Sequence, residues 1–127
     1  MVALVGKEAE VTAFVAEGEL SATEVLGAYS EFLEGGISRL ALWDFSRATL
    51  RRIDSEGIRD LARKVVQVNR GRRSAGKTAV VCGRLVDFGT ARMLATHLSI
   101  EGYPVEVVVF MDKTAAMAWL AEEESDE

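Results

Sequence analysis

The segment Gly71-Arg72-Arg73-Ser74-Ala75-Gly76-Lys77-Thr78 satisfies the spacing G-x-x-x-x-G-K-[ST] in full. A phosphate loop works because a strand delivers the glycines and a helix begins at the lysine, so that free amides and the positive helix end face the phosphate. Here the order is inverted. Helical periodicity precedes Gly71, and the β-rich run Thr78 to Cys82 follows Lys77. No acidic strand end lies downstream to hold magnesium, so the segment reads as a helix-to-strand turn. The same region has a charge asymmetry: Arg63, Lys64, Arg70, Arg72, Arg73, Lys77 and Arg84 fall in residues 61–86 without a single acid. That predicts a basic patch, strongest at the helix-to-strand corner, with Arg72, Arg73 and Lys77 as candidates for a small anion, lipid head groups or an acidic partner. Nucleic acid is not expected, because no aromatic residues interleave with these bases.

Other reactive side chains are sparse. One cysteine, Cys82, and one histidine, His97, build neither a disulfide nor a zinc site. Cys82 ends an apolar run and reads as a small buried hydrophobe, and His97 lies inside a helical pattern. No Ser/His/Asp set or carboxylate pair with catalytic spacing stands out. A non-enzymatic protein without metal or cofactor is therefore expected. No window approaches about 18 consecutive apolar residues, so no integral membrane segment is expected. The N-terminus lacks the basic region and apolar run of a signal peptide, and together with the lone cysteine this points to the cytoplasm. The net charge of −5 is localised, since the last six residues hold five of the 20 acids, leaving 15 against 15 basic residues. The expected organisation is one domain over residues 1–121 and an acidic tail over 122–127.

The elements that must position these residues follow from periodicity and turn signals. Residues 10–16 alternate and predict a strand, with Val2 to Val5 a short strand beside it and Gly18 ending the unit. Ser21-Ala22-Thr23-Glu24 is a capping box for a helix with the stripe Val25, Leu26, Tyr29, Phe32 and Leu33, closed by Gly35-Gly36. Leu40 to Trp43 predicts a strand ending in Asp44-Phe45-Ser46. Asp54 or Ser55 caps a second helix bearing Ile58, Leu61, Ala62, Val65 and Val68. Thr78 to Cys82 predicts a strand buried on both faces. Asp87 is placed to cap a third helix, Pro104 opens a strand over Val105 to Phe110, and Asp112 starts a last helix. This alternation predicts an α/β fold, β(β)αβαβαβα, with a mixed, mostly parallel sheet of four to five strands and about four helices.

Leu40-Ala41-Leu42-Trp43-Asp44-Phe45-Ser46, followed by Ile53-Asp54-Ser55-Glu56-Gly57-Ile58, resembles the STAS domain of bacterial anti-sigma-factor antagonists. There, a strand ending in Asp-Leu-Ser leads through a short loop to Asp-Ser-Ser-Gly at a helix start. Phe88 to Met93, and Val107 to Asp112 with Ala118-Trp119-Leu120, resemble the small bacterial SpoIIAA-like proteins, also described as STAS/SEC14-like. The resemblance spans roughly residues 9–121 as a pattern of elements. It implies a STAS/SpoIIAA-like fold and matches Asp54 to the family aspartate, Ser55 to the first serine and Gly57 to the glycine. Glu56 stands where the antagonists carry their phosphorylated serine, and the interval from Ser46 to Asp54 is about one residue longer. A glutamate there holds about one negative charge permanently at the positive helix end, where phosphate would hold about −1.5 to −2.

Two functions follow from the resemblance. One is a regulatory or protein-interaction domain whose partner surface comprises Asp44, Ser46, Asp54, Ser55, Glu56 and Gly57. The alternative is a small-ligand or lipid-binding module of SEC14-like type, with a pocket between the third helix and the sheet near Gly89 and rimmed by Arg92. Self-association into a homodimer is also expected, since helices largely on one face leave the other face of a small sheet needing cover.

Overall fold

The computed structural model describes residues 1–122 apart from Ala9, Gly36 and Ile37. Gly36 of the expected Gly35-Gly36 closure and residues 123–127 of the acidic tail lie outside the described residues. Among the described residues the order is β1 (Val2–Glu8), β2 (Val11–Glu19), α1 (Ala22–Glu34), β3 (Leu40–Thr49), α2 (Ser55–Asn69), β4 (Lys77–Cys82), α3 (Leu85–Ile100), β5 (Glu106–Phe110) and α4 (Lys113–Ala121). The five strands form one sheet in chain order. β1 pairs antiparallel with β2, and every later neighbour is parallel. The mixed, mostly parallel α/β architecture read from the sequence is what forms.

Chain-order topology decides where the helices go. Each parallel crossover steps one strand the same way, so right-handed connections put α1, α2 and α3 on one face. Period-2 alternation on β3 serves both faces: Ala41, Trp43 and Phe45 enter the large core under these helices, while Leu40 and Leu42 enter a smaller core under α4. Phe14 and Trp43, cross-strand neighbours, stack with ring centroids 4.1 Å apart. α4 packs mainly over β3, β4 and β5. It leaves an open groove of about 500 Å³ over β1 and β2, lined by Val5, Val11, Ala13 and Met117 among others.

Caps fix three helix starts. Ser21 and Glu24 form the reciprocal capping box at 3.1 Å each way. Asp54 Oδ1 accepts from the Gly57 amide at 2.7 Å, which makes Asp54 the cap of α2. Asp112 accepts from the Thr114 and Ala115 amides. The fourth expectation is corrected. α3 begins at Leu85, with Arg84 at the cap position and no side-chain cap bond, so Asp87 sits inside the first turn. Its carboxylate is drawn instead to the end of β3. The strand limits also shift: β2 continues past Gly18 to Glu19, and β3 continues past Ser46 to Thr49.

Candidate functional site

Asp44 and Ser46 form a structural device at a break in the β2–β3 ladder. The register passes from Val15↔Asp44 to Glu17↔Arg47, so Phe45 and Ser46 together oppose Ala16 in a β-bulge. Asp44 Oδ1 accepts from the Ser46 amide at 3.0 Å and from its hydroxyl at 2.6 Å, supplying the partner that the bulged backbone loses. A Cβ at Gly83 would fall 2.5 Å from the Ser46 carbonyl oxygen, so only glycine lets β4 leave the sheet beside this bulge. Lys113 Nζ stands 3.9 Å from Asp44 Oδ2. Asp44 therefore faces α4, whereas Asp54, Ser55, Glu56 and Gly57 open a helix of the opposite layer. The structure does not bring the two halves of the expected partner surface together.

The α2 half is accessible. Asp54, Ser55 and Glu56 are exposed and Gly57 half-buried. Just upstream, Arg51 and Arg52 both pair with Glu19. The Arg51 guanidinium, by hydrogen bond and charge, holds the Glu19 carboxyl below the usual range.

Of the expected basic patch, Arg63, Lys64, Arg70, Arg72 and Arg84 are exposed, whereas two cations of the helix-to-strand corner are turned inward onto carbonyls. Arg73 is 2% exposed and Lys77 5%. Lys77 Nζ donates to the carbonyls of Trp119 (2.9 Å) and Glu122 (3.0 Å) and lies over the Trp119 ring. Arg72 donates to the Leu33 carbonyl at 2.6 Å. These carbonyls end α4 and α1, whose last turns contain no basic residue of their own. Carbonyls with spare acceptor capacity and a partial negative charge at those ends attract cations from elsewhere in the chain. Arg63 and Lys64 pair with Asp60, and Arg70 Nε donates to Gln67 O of its own helix. The Gly71–Thr78 segment is a helix-to-strand turn, as its order implied. Gly76 there has φ +122°, and a Cβ would fall 2.1 Å from the Arg39 carbonyl oxygen.

Of the remaining candidates, Gly89 is exposed on α3 with open space where a Cβ would stand, so nothing needs its close approach. Arg92 lies over the Phe88 ring and rims a groove of about 330 Å³ between α3 and β5. Cys82 is fully buried, and burial, followed by the Asp87 and Asp44 carboxylates, pushes its thiol up to about 12. Among the described residues, no three His, Cys, Asp or Glu side chains gather to hold a metal, and no helix is long and apolar enough to cross a membrane.

One feature escapes sequence reading. Leu85 and Val86 are 77% and 70% exposed, although they open α3. They are held there by Asp87, which is 1% exposed and whose Oδ1 accepts from Thr49 Oγ1 and the Leu50 amide at 2.9 Å each. α2 and α3 pack side by side, and both start at the carboxyl end of parallel strands. Their first turns thus lie at the same end of the sheet. The sequence signal for it is Leu85-Val86 directly ahead of an acid that lies in the first turn rather than at the cap. A scan against protein-family models finds no match to this chain, and a search of curated proteins finds none either.

Proposed function

We propose that this chain is a non-enzymatic, STAS-like protein-interaction domain of the bacterial cytoplasm, whose partner surface is the paired first turns of α2 and α3. The observation that carries this reading is the anchored exposure of Leu85 and Val86 beside Asp54, Ser55 and Glu56. Two large apolar side chains held out by a buried carboxylate, next to a polar, charged helix start, have the anatomy of an interface: apolar centre, polar rim. Resemblance of the Asp54–Gly57 segment to the antagonist motif supports the same surface. Glu56 gives it a fixed negative charge in place of a switchable one. Asp44 and Ser46 drop out of the surface and serve the bulge.

The test is quantitative affinity capture from the native host with wild-type chain and with Ser55→Lys/Glu56→Lys. Gly57 is left alone because a Cβ would meet Ile53 Cγ2 at 3.0 Å and Asp54 Oδ1 at 3.1 Å. The reading expects a specific partner whose recovery falls about tenfold with the charge reversal. An unchanged partner set would overturn it.

A further inference from the structure

The outer face of α3 is apolar where that of its neighbour α2 is charged. α2 exposes Glu56, Arg59, Arg63, Lys64 and Gln67, the solvated stripe expected of a surface helix. The charged residues of α3 are Asp87 and Arg92, and neither stands on its outer stripe. Asp87 is turned onto the end of β3, and Arg92 lies at the flank over the Phe88 ring. The stripe consists of Val86, Met93 and Ile100, which are 70%, 38% and 69% exposed, whereas Ala91 and Leu98 on the opposite side are buried. Val86, Met93 and Ile100 recur at every seventh position, with the uncharged Gly89 and Thr96 between them. That is the spacing of a seam between two helices packed along their length, and a helix apolar on both sides is normally covered on both.

A second copy of the same helix fits this face when it runs antiparallel. A two-fold axis at Met93 sets Met93 against its own counterpart and Val86 against Ile100 of the second copy. The stripe is therefore its own complement, and no like charges meet within it. Charge at the ends agrees. Arg84 stands at the start of α3 and Glu101 at its end, and both are exposed. Antiparallel packing brings each Arg84 to the end where Glu101 of the second copy stands, and lays each positive helix end beside the other's negative end. A parallel pair would set Arg84 against Arg84 and Glu101 against Glu101.

We propose that two copies of this chain associate through the outer face of α3, as a two-fold dimer centred on Met93. The contact is made by the layer opposite the sheet face that α4 leaves partly open. It does not rest on the partner reading, because Met93 and Ile100 lie beyond the first turn of α3. Val86 belongs to both surfaces, so a second copy and a protein partner compete for it.

The test is sedimentation equilibrium of the full chain from about 1 µM to about 500 µM. Wild type should pass from monomer to dimer in that range, as a contact at the small end of stable interfaces does. Met93→Lys sets two cations face to face on the axis, at an exposed helical position that lysine suits. It should keep the wild-type circular dichroism and raise the dimer dissociation constant at least about tenfold. Ile100→Lys should weaken the dimer in the same direction, whereas Met117→Lys, at the open groove beside α4, should leave it unchanged. Partner capture by Met93→Lys, whose first turns are intact, keeps this contact and the partner surface apart. A wild-type chain that stays monomeric throughout, folded Met93→Lys or Ile100→Lys chains that dimerise as wild type does, or dissociation by Met117→Lys would each overturn the proposal.

Discussion

Asp87 Oδ1 accepts the Thr49 hydroxyl at 2.9 Å, joining the first turn of α3 to the last residue of β3 across 38 positions of sequence. The same oxygen takes the Leu50 amide, so one carboxylate fixes where the β3–α2 connection sits against α3. Asp87→Ala leaves two buried donors without an acceptor, and should cost about 2–4 kcal/mol. Asp87→Asn keeps an acceptor in place and should cost less. Urea unfolding midpoints of both variants check this; an Asp87→Ala midpoint equal to wild type would contradict the bridge.

Lys77→Met removes the cation from the carbonyl end of α4 while keeping an apolar stem against Trp119. A loss of about 1–2 kcal/mol is expected, with faster amide exchange concentrated in α4. Exchange accelerated equally in α1 and α4 would show that Lys77 is not specifically the end-group of α4.

Two glycines should respond in opposite directions. Gly89→Ala, on an exposed helical position with open space, should stabilise the chain by about 0.5–1 kcal/mol. Gly76→Ala meets the Arg39 carbonyl and a φ of +122°, and should destabilise it by at least about 2 kcal/mol. Thermal unfolding of the two variants decides both.

Much of the fold was legible because local signals agreed. Ser21 with Glu24, Asp54 and Asp112 each announced a helix start that the structure keeps, and the apolar runs at Leu40 and Thr78 became central strands. α3 was harder: Asp87 has the chemistry of a cap, but tertiary donors on Thr49 and Leu50 compete for its carboxylate. The basic stretch was legible only in part, for a related reason. Charge type predicts exposure, whereas Arg72 and Lys77 reach carbonyls at the ends of α1 and α4, brought near only by folding. Those helices' last turns lack basic residues, which was the available hint. Asp44 and Ser46 were noticed through a motif, but their role depends on a bulge that register alone reveals.

Alkaline pH should weaken the fold through Cys82. Its thiol is raised from an ordinary value of 9.0 to about 12, so the unfolded chain releases a proton that the folded chain retains. The stability contribution is whole below about pH 9 and declines as pH rises towards about 12, by at most about 1.4 kcal/mol per pH unit. Tyr29, raised first by burial and then by Tyr103, adds to the decline at the upper end. Unfolding midpoints followed from about pH 8 to about pH 10.5 should fall for wild type and fall less steeply for Cys82→Ala. Parallel slopes would contradict the assignment to Cys82.

The central claim is that the first turns of α2 and α3 form one partner surface, and Leu85→Asp/Val86→Glu tests it most directly. Acidic residues are favoured in a first helical turn, so the double variant should fold normally. In quantitative capture from the native host, it should lose about tenfold of the same partner that Ser55→Lys/Glu56→Lys loses, while Ala118→Glu on α4 retains it. Recovery of that partner by a folded Leu85→Asp/Val86→Glu chain at the wild-type level would contradict the shared surface.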